Sequence, residues 1–151
     1  MKTLLFPGSF DPFTRGHADI VRRALALADH IVIAVGVNAD KHGHAATDER
    51  TAAIEHLFRD EPRVSTVAYH GLTTRLAQEI GADAILRGVR SVKDFEYERD
   101  MADVNRQLTG IETVLLFASP QYAAISSSVV RELKHYGEDV SQFLPEDRPA
   151  Y

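Results

Sequence analysis

The run His30-Ile31-Val32-Ile33-Ala34-Val35-Gly36-Val37 restricts the possible folds more than any other stretch of the chain. It is rich in β-branched residues and apolar at both alternations of a strand. A strand with two apolar faces must be covered on both, as at the centre of a parallel sheet flanked by helices. The surrounding sequence supplies strands and covers in alternation. Thr3 to Phe6 is a short apolar run that reads as a buried strand, and Ile20, Val21, Ala24, Leu25 and Ala28 form one helical stripe after it. Past a polar loop from Asn38 to Ala46, Thr47-Asp48-Glu49-Arg50 reads as a helix start. Thr47 would be its cap, Asp48 and Glu49 complement the dipole, and Ala53, Ile54, Leu57 and Phe58 face inward.

Arg63 to Tyr69 then reads as a third strand, Thr73 to Ile80 as a short helix ended by Gly81, and Ala84-Ile85-Leu86 as a fourth strand. Asp94 to Leu108 is the longest helix, with Tyr97, Met101, Val104 and Leu108 on one face; Thr113 to Ala118 is a fifth strand. Ser126-Ser127-Ser128 opens a last helix carrying Val129, Val130 and Leu133. The spacing predicts an α/β fold: a Rossmann-like, doubly wound, five-stranded parallel sheet forming a single domain over residues 1–151. Residues 139–151 would be a C-terminal tail with an apolar knot at Phe143-Leu144-Pro145. A chain of 151 residues buries roughly 68–70% of its unfolded surface, enough for one core without a covalent staple.

Composition narrows the function classes. The chain has no cysteine, which removes disulfides and thiol catalysis. No apolar run approaches the ~20 residues of a membrane span, and Pro7-Gly8 interrupts the first apolar run too early for a signal peptide, so a cytoplasmic location and no membrane partner are expected. A net charge of −5 argues against nucleic acid as a partner and makes local cationic clusters informative.

Doubly wound sheets hold ligands outside the carboxyl ends of their strands. On that edge falls Phe6-Pro7-Gly8-Ser9-Phe10-Asp11-Pro12-Phe13-Thr14-Arg15-Gly16-His17, a turn broken by glycine and proline that feeds a helix capped by Asp11 or Thr14. Unpaired N–H groups and the positive end of the dipole make such a turn attractive to phosphate, and His17 in the first helical turn can add a donor. Lys41 after the second strand and Arg87 and Arg90 after the fourth are separated in sequence yet converge on the same edge. Any one of them alone suits solvated surface, but three converging in an acidic chain point to an anion. Arg87 has the strongest case, because a guanidinium ending an apolar strand needs an anionic partner. The serine run serves as helix cap and phosphate donor together. His42-Gly43-His44 lacks a completing cysteine or carboxylate and reads as solvated histidines, not a metal site. There is no P-loop, no G-x-G-x-x-G and no G-x-S-x-G signature.

Pro7-Gly8-Ser9-Phe10-Asp11-Pro12 with Thr14-x-Gly16-His17, Arg87-Gly88-Val89-Arg90, Asp94-Phe95-Glu96-Tyr97-Glu98 and Ile125-Ser126-Ser127-Ser128 together resemble the bacterial phosphopantetheine adenylyltransferase family. The T-x-G-H form is a variant of the H-x-G-H signature of the nucleotidyltransferases. The resemblance implies transfer of AMP from ATP to 4′-phosphopantetheine, yielding dephospho-CoA and pyrophosphate in coenzyme A synthesis, with Mg²⁺ as cofactor and a homohexameric assembly. It implies catalytic roles for His17, Lys41 and Arg87. It places Ser9, Lys41, Thr73 and Arg87 on the pantetheine substrate, and Ser9, Phe10, His17, Gly88, Val89, Arg90, Glu98 and the segment Tyr122, Ala123, Ala124, Ile125, Ser126, Ser127, Ser128 on ATP, with Mg²⁺ held mainly by phosphates. Ser9 stands where the family usually has threonine and Arg131 where lysine is common, and the tail is shorter than in some members. Two rival readings remain open: an adenylyl- or cytidylyltransferase using another phosphorylated acceptor, and a non-catalytic ATP-binding regulatory module.

Overall fold

A computed structural model describes residues 1–37 and 45–146. Five parallel strands, β1 (Thr3–Gly8), β2 (His30–Gly36), β3 (Val64–Tyr69), β4 (Ala84–Val89) and β5 (Glu112–Phe117), form one sheet in the order β3-β2-β1-β4-β5. The helices are α1 (Arg15–Ala24), α2 (Thr47–Leu57), α3 (Thr73–Glu79), α4 (Val92–Thr109) and α5 (Ser127–His135). The expected doubly wound α/β fold is therefore present.

The two-faced apolar character of β2 is used as its sequence predicts. Ile31, Ile33 and Val35 join Leu4, Phe6 and Leu86 in a cluster that takes in Ile20 and Val21 of α1 and Ile54 of α2. Val32 and Ala34 point the other way, into a smaller cluster with Leu5, Ile85 and Ala77 of α3. Alternation along a strand thus distributes one sequence over two cores.

Several boundaries differ from expectation. β1 runs two residues further, through Pro7 and Gly8. The Pro7 carbonyl faces the β4 side, where it accepts from Arg87, and the β1–β4 ladder has already ended there, so the missing proline N–H costs no ladder bond. β4 likewise continues to Val89, because Arg87, Gly88 and Val89 pair with Leu115, Leu116 and Phe117 of β5. Arg87 therefore lies within the strand and not after it. At the start of α2, Ala46 is the cap residue and makes no side-chain cap bond; Thr47 is one residue inside the helix, and its hydroxyl accepts from Arg50 instead. In α5, Val130 is buried whereas Val129 is exposed. The Asn38–Ala46 loop lies mostly outside the described residues, as do 147–151 of the tail. The described part of the tail is tied to the domain: Val140 is buried and Arg15 Nε donates to the Leu144 carbonyl at 2.7 Å.

One feature of the register positions the site. β1 and β4 pair only at Leu4 with Ala84 and Leu5 with Ile85, while β1 stays paired with β2 to Gly8 and β4 with β5 to Val89. The two central strands separate at the point where the strand order reverses, and the split opens a crevice at their carboxyl ends.

Candidate active site

The crevice is a cavity of about 390 Å³, walled by the turn after β1, the end of β4, the first turns of α1 and α4, and the start of α5. Thr14, not Asp11, caps α1: its hydroxyl accepts from the His17 N–H at 3.3 Å, and His17 Nδ1 accepts in return from the Thr14 N–H at 3.0 Å. A threonine cap paired with an imidazole three residues on thus holds the ring in place. Because Nδ1 is used as an acceptor, the ring proton sits on Nε2, which meets no acceptor among the described residues. Burial, reinforced by the charges of Arg87 and Arg90, holds the His17 pKa down to about 3. The ring packs edge-on to Phe10 at 5.0 Å and against Phe13 at 5.3 Å. His17 is thus a fixed, neutral N–H donor.

Ser9 and Phe10 form the turn beside it. Phe10 has φ 49° and a buried ring that packs on Phe6 and Phe13, so its backbone is the part most suited to a polar ligand. Gly8 makes room for that ring: a Cβ there would lie 2.9 Å from Phe10 Cζ.

Across the split, Arg87 Nε and Nη2 donate to the two Glu98 oxygens at 2.8 Å each, and Nη1 donates to the Pro7 carbonyl at 2.7 Å. Burial lowers the Arg87 pKa, but these bonds to Glu98 outweigh it and hold it above its usual value. The anionic partner that Arg87 requires is therefore supplied by the chain itself. Arg90 is fixed similarly, with Nε donating to Asp94 Oδ2 at 3.1 Å and Nη1 to the Ile125 carbonyl at 3.4 Å. Ser126 caps α5 by accepting from the Val129 N–H at 3.1 Å, Ser127 donates to the Pro12 carbonyl at 2.8 Å, and Ser128 accepts from Arg131 at 3.2 Å.

Of the residues singled out from sequence, the cavity wall brings together Ser9, Phe10, His17, Arg87, Gly88, Arg90, Glu98, Tyr122, Ile125, Ser126, Ser127 and Ser128. Val89 is a buried core residue, and Ala123 and Ala124 lie in the turn leading to α5. Thr73 lines a neighbouring hollow of about 210 Å³ that shares Pro7, Arg87, Tyr97 and Glu98 with the cavity; its hydroxyl is 2.9 Å from that of Tyr69. Lys41 and the His42-Gly43-His44 histidines lie outside the described residues. Sequence reasoning missed two residues. Asp94 aligns Arg90, and its signal was the four-residue spacing between them. Arg50, 1% exposed, donates to backbone carbonyls around the turn. Its signal was a cation in the first turn of a helix, where the dipole opposes it.

The chain is similar to known proteins in both fold and sequence. The fold matches a bifunctional NMN adenylyltransferase/ADP ribose pyrophosphatase from Francisella tularensis, solved with AMP and a manganese ion: the TM-score is 0.70 over 95% of this chain at 14% identity, and the chain spans 44% of that protein. A lipopolysaccharide core biosynthesis protein from Thermoplasma volcanium matches 79% of this chain and 97% of its own at TM-score 0.56 and 22% identity. Residues 5–133 match the cytidylyltransferase-like family. Phosphopantetheine adenylyltransferases from Bacteroides thetaiotaomicron and Phocaeicola vulgatus are 48% and 51% identical over 146 residues, 97% of this chain and 97% of theirs. That from Porphyromonas gingivalis is 51% identical over 142 residues, 94% of this chain and 93% of its own. With such identity along almost its whole length, the chain belongs to the phosphopantetheine adenylyltransferase family.

Proposed function

We propose that this chain transfers AMP from ATP to 4′-phosphopantetheine, giving dephospho-CoA and pyrophosphate in coenzyme A biosynthesis. The observation that carries the reading is the neutral Nε2–H of His17, fixed at the start of α1 in an arginine-lined cavity at the strand-order switch. An oxygen of the acceptor phosphate attacks the α-phosphorus of ATP, the bond from that phosphorus to the bridging oxygen of the β-phosphate breaks, and pyrophosphate leaves. With a second pKa of about 6, the acceptor phosphate is ionised at neutral pH and needs no general base. The chain's task is then alignment and charge stabilisation. A histidine whose pKa is near 3 cannot act as a base or cation at pH 7, yet it donates a hydrogen bond throughout, which suits charge developing on the α-phosphate.

In this reading Ser9, Lys41, Thr73 and Arg87 hold phosphopantetheine. ATP lies against Ser9, Phe10, His17, Gly88 to Arg90 and Tyr122 to Ser128, and Glu98 serves by bracing Arg87. The carboxylates on the cavity wall, Asp94 and Glu98, are committed to Arg90 and Arg87, and among the described residues no cluster of three metal-ligating side chains occurs. That donor set suits Mg²⁺ entering as the magnesium complex of ATP, held by phosphate oxygens and water. The exposed apolar stripe of α4, Tyr97, Met101, Val104 and Leu108, supports self-association, and the assembly proposed is a homohexamer. No described helix is long and apolar enough to cross a membrane, which accords with a cytoplasmic enzyme.

The test is pyrophosphate release from ATP with a panel of acceptors: 4′-phosphopantetheine, nicotinamide mononucleotide, nicotinate mononucleotide and a phosphorylated alcohol. Release with phosphopantetheine alone is expected. Release with another acceptor selects the rival transferase, and ATP binding without release selects a regulatory module.

A further inference from the structure

Arg50 is one of the most deeply buried side chains, although it sits in the first turn of α2 where the helix dipole disfavours a cation. Its guanidinium is engaged with oxygens from three segments. Nη1 donates to the Ser9 carbonyl and, at 2.9 Å, to that of Gly36; Nε donates to the Ala45 carbonyl at 3.1 Å; Nη2 donates to Thr47 Oγ1 at 3.0 Å. A buried charge persists only where its donors are filled in this way. The bonds tie the turn after β1 to the end of β2 and the start of α2. Arg50 does not line the cavity, so any part it takes in the chemistry passes through the groups it holds.

We propose that Arg50 is a positioning residue for the transferred phosphoryl group: by fixing the Ser9 carbonyl it sets the Ser9–Phe10 peptide so that the Phe10 N–H is offered to the α-phosphate. The cis peptide of the turn is Asp11–Pro12, so the Ser9–Phe10 bond is trans, and its C=O and N–H point in opposite directions. With the carbonyl held on Arg50, the N–H faces away from it, and among the described residues it meets no acceptor. The φ of 49° at Phe10 is one that a bulky residue adopts only when its surroundings impose it. Here the ring is clamped by Phe6, Phe13 and His17 on one side and the carbonyl by Arg50 on the other. Two donors, the Phe10 amide and His17 Nε2, then flank one site. This inference rests on the adenylyl-transfer reading.

Arg50→Ala and Arg50→Lys are compared with the unsubstituted protein in steady-state kinetics. Arg50→Ala is expected to lower kcat about 10²-fold, the loss typical of one misplaced donor to developing charge, with KM for ATP little changed. Guanidinium chloride at low millimolar concentration, against a sodium chloride control, should restore turnover saturably. A merely structural role predicts a lowered unfolding midpoint with kcat of the folded protein unchanged, which leaves guanidinium no turnover to restore. Turnover of Arg50→Ala within about threefold of the original, well short of a lost donor, or a loss that guanidinium does not relieve, overturns the proposal. Should Arg50→Ala not unfold cooperatively, Arg50→Lys decides: it keeps the charge but not the fork, so a lowered kcat at unchanged KM supports the assignment and unaltered kcat overturns it. The Phe10 amide resonance separates this proposal from the proposed reaction. A shift on adding ATP that is lost in the variant supports positioning even if no acceptor yields pyrophosphate, and an identical shift in both proteins overturns it.

Discussion

Arg87 and Glu98, on adjacent elements β4 and α4, form a forked pair with two parallel bonds of 2.8 Å. The pair spends two of the five guanidinium N–H groups, and the Pro7 carbonyl takes a third. The remaining two leave room for a phosphate to share the cation without breaking the pair. Arg87→Lys keeps the charge but cannot serve both partners, so KM for phosphopantetheine should rise about tenfold, the worth of one charge-assisted bond, with a parallel fall in kcat. Arg87→Ala strands the Glu98 carboxylate, whose side chain is 9% exposed. Urea unfolding should show a loss near the lower end of the ~3–5 kcal/mol for breaking a buried pair. The Arg87→Ala/Glu98→Gln double variant should recover part of that loss; a double variant no more stable than Arg87→Ala would show that the loss does not come from the stranded carboxylate.

Gly8→Ala tests whether the turn is built around the Phe10 ring. The added Cβ would lie 2.9 and 3.0 Å from Phe10 Cζ and Cε1, and the ring is hemmed in by Phe6, Phe13 and His17. Overpacking of this kind costs about 1–3 kcal/mol, and the displaced ring should carry His17 with it and lower turnover. Gly88→Ala is the control. Its Cβ meets the flexible Ile20 side chain at 3.3 Å, so thermal melting should show a smaller loss.

The sheet was legible because β2 carries its two-faced burial in plain alternation, and because every strand is punctuated by glycine, proline or a charged turn. Strand ends were less so. Pro7 reads as a breaker until the partner strand is known to have parted from it, and Arg87 reads as a loop residue until β5 pairs alongside. The turns that line the cavity were visible through their residue types, but the commitments among charged groups were not. Arg87 with Glu98 is an eleven-residue spacing that no helical or strand period singles out, and although Arg50 stands out as a cation in the first turn of a helix, the backbone carbonyls that it holds are not marked by any residue type.

Assembly should depend on α4. Tyr97, Met101, Val104 and Leu108 are 62%, 39%, 47% and 47% exposed and recur at helical spacing, an apolar stripe of the kind that marks an interaction surface. Light scattering is expected to give a hexamer at micromolar concentration, and Val104→Asp with Met101→Lys to give smaller species. Phe143 and Leu144 are half-buried against their own chain, so Leu144→Ala should affect stability more than assembly.

The last prediction concerns His17, where binding and chemistry separate. Arg87 would touch a phosphate present in ground and transition states alike, whereas the Nε2–H would meet charge that develops on the α-phosphate. His17→Ala should therefore lower kcat roughly 10²–10³-fold with little change in either KM. His17→Gln, which keeps a neutral donor, should recover part of the loss. With a folded pKa near 3 the imidazole stays neutral across the assay range, so the kcat profile should show no acid limb from His17 between pH 5 and 8. Stability carries the complementary signature. A pKa depressed from 6.5 in the folded state means that the unfolded chain binds the proton more readily, so the stability present above pH 6.5 is lost progressively as pH falls towards 3. His17→Gln should flatten that part of the melting-temperature profile. A limb near pH 6.5 that vanishes in His17→Gln and on which turnover is lost as pH rises would instead mean that the imidazolium is the active form, and the neutral-donor mechanism would have to be abandoned.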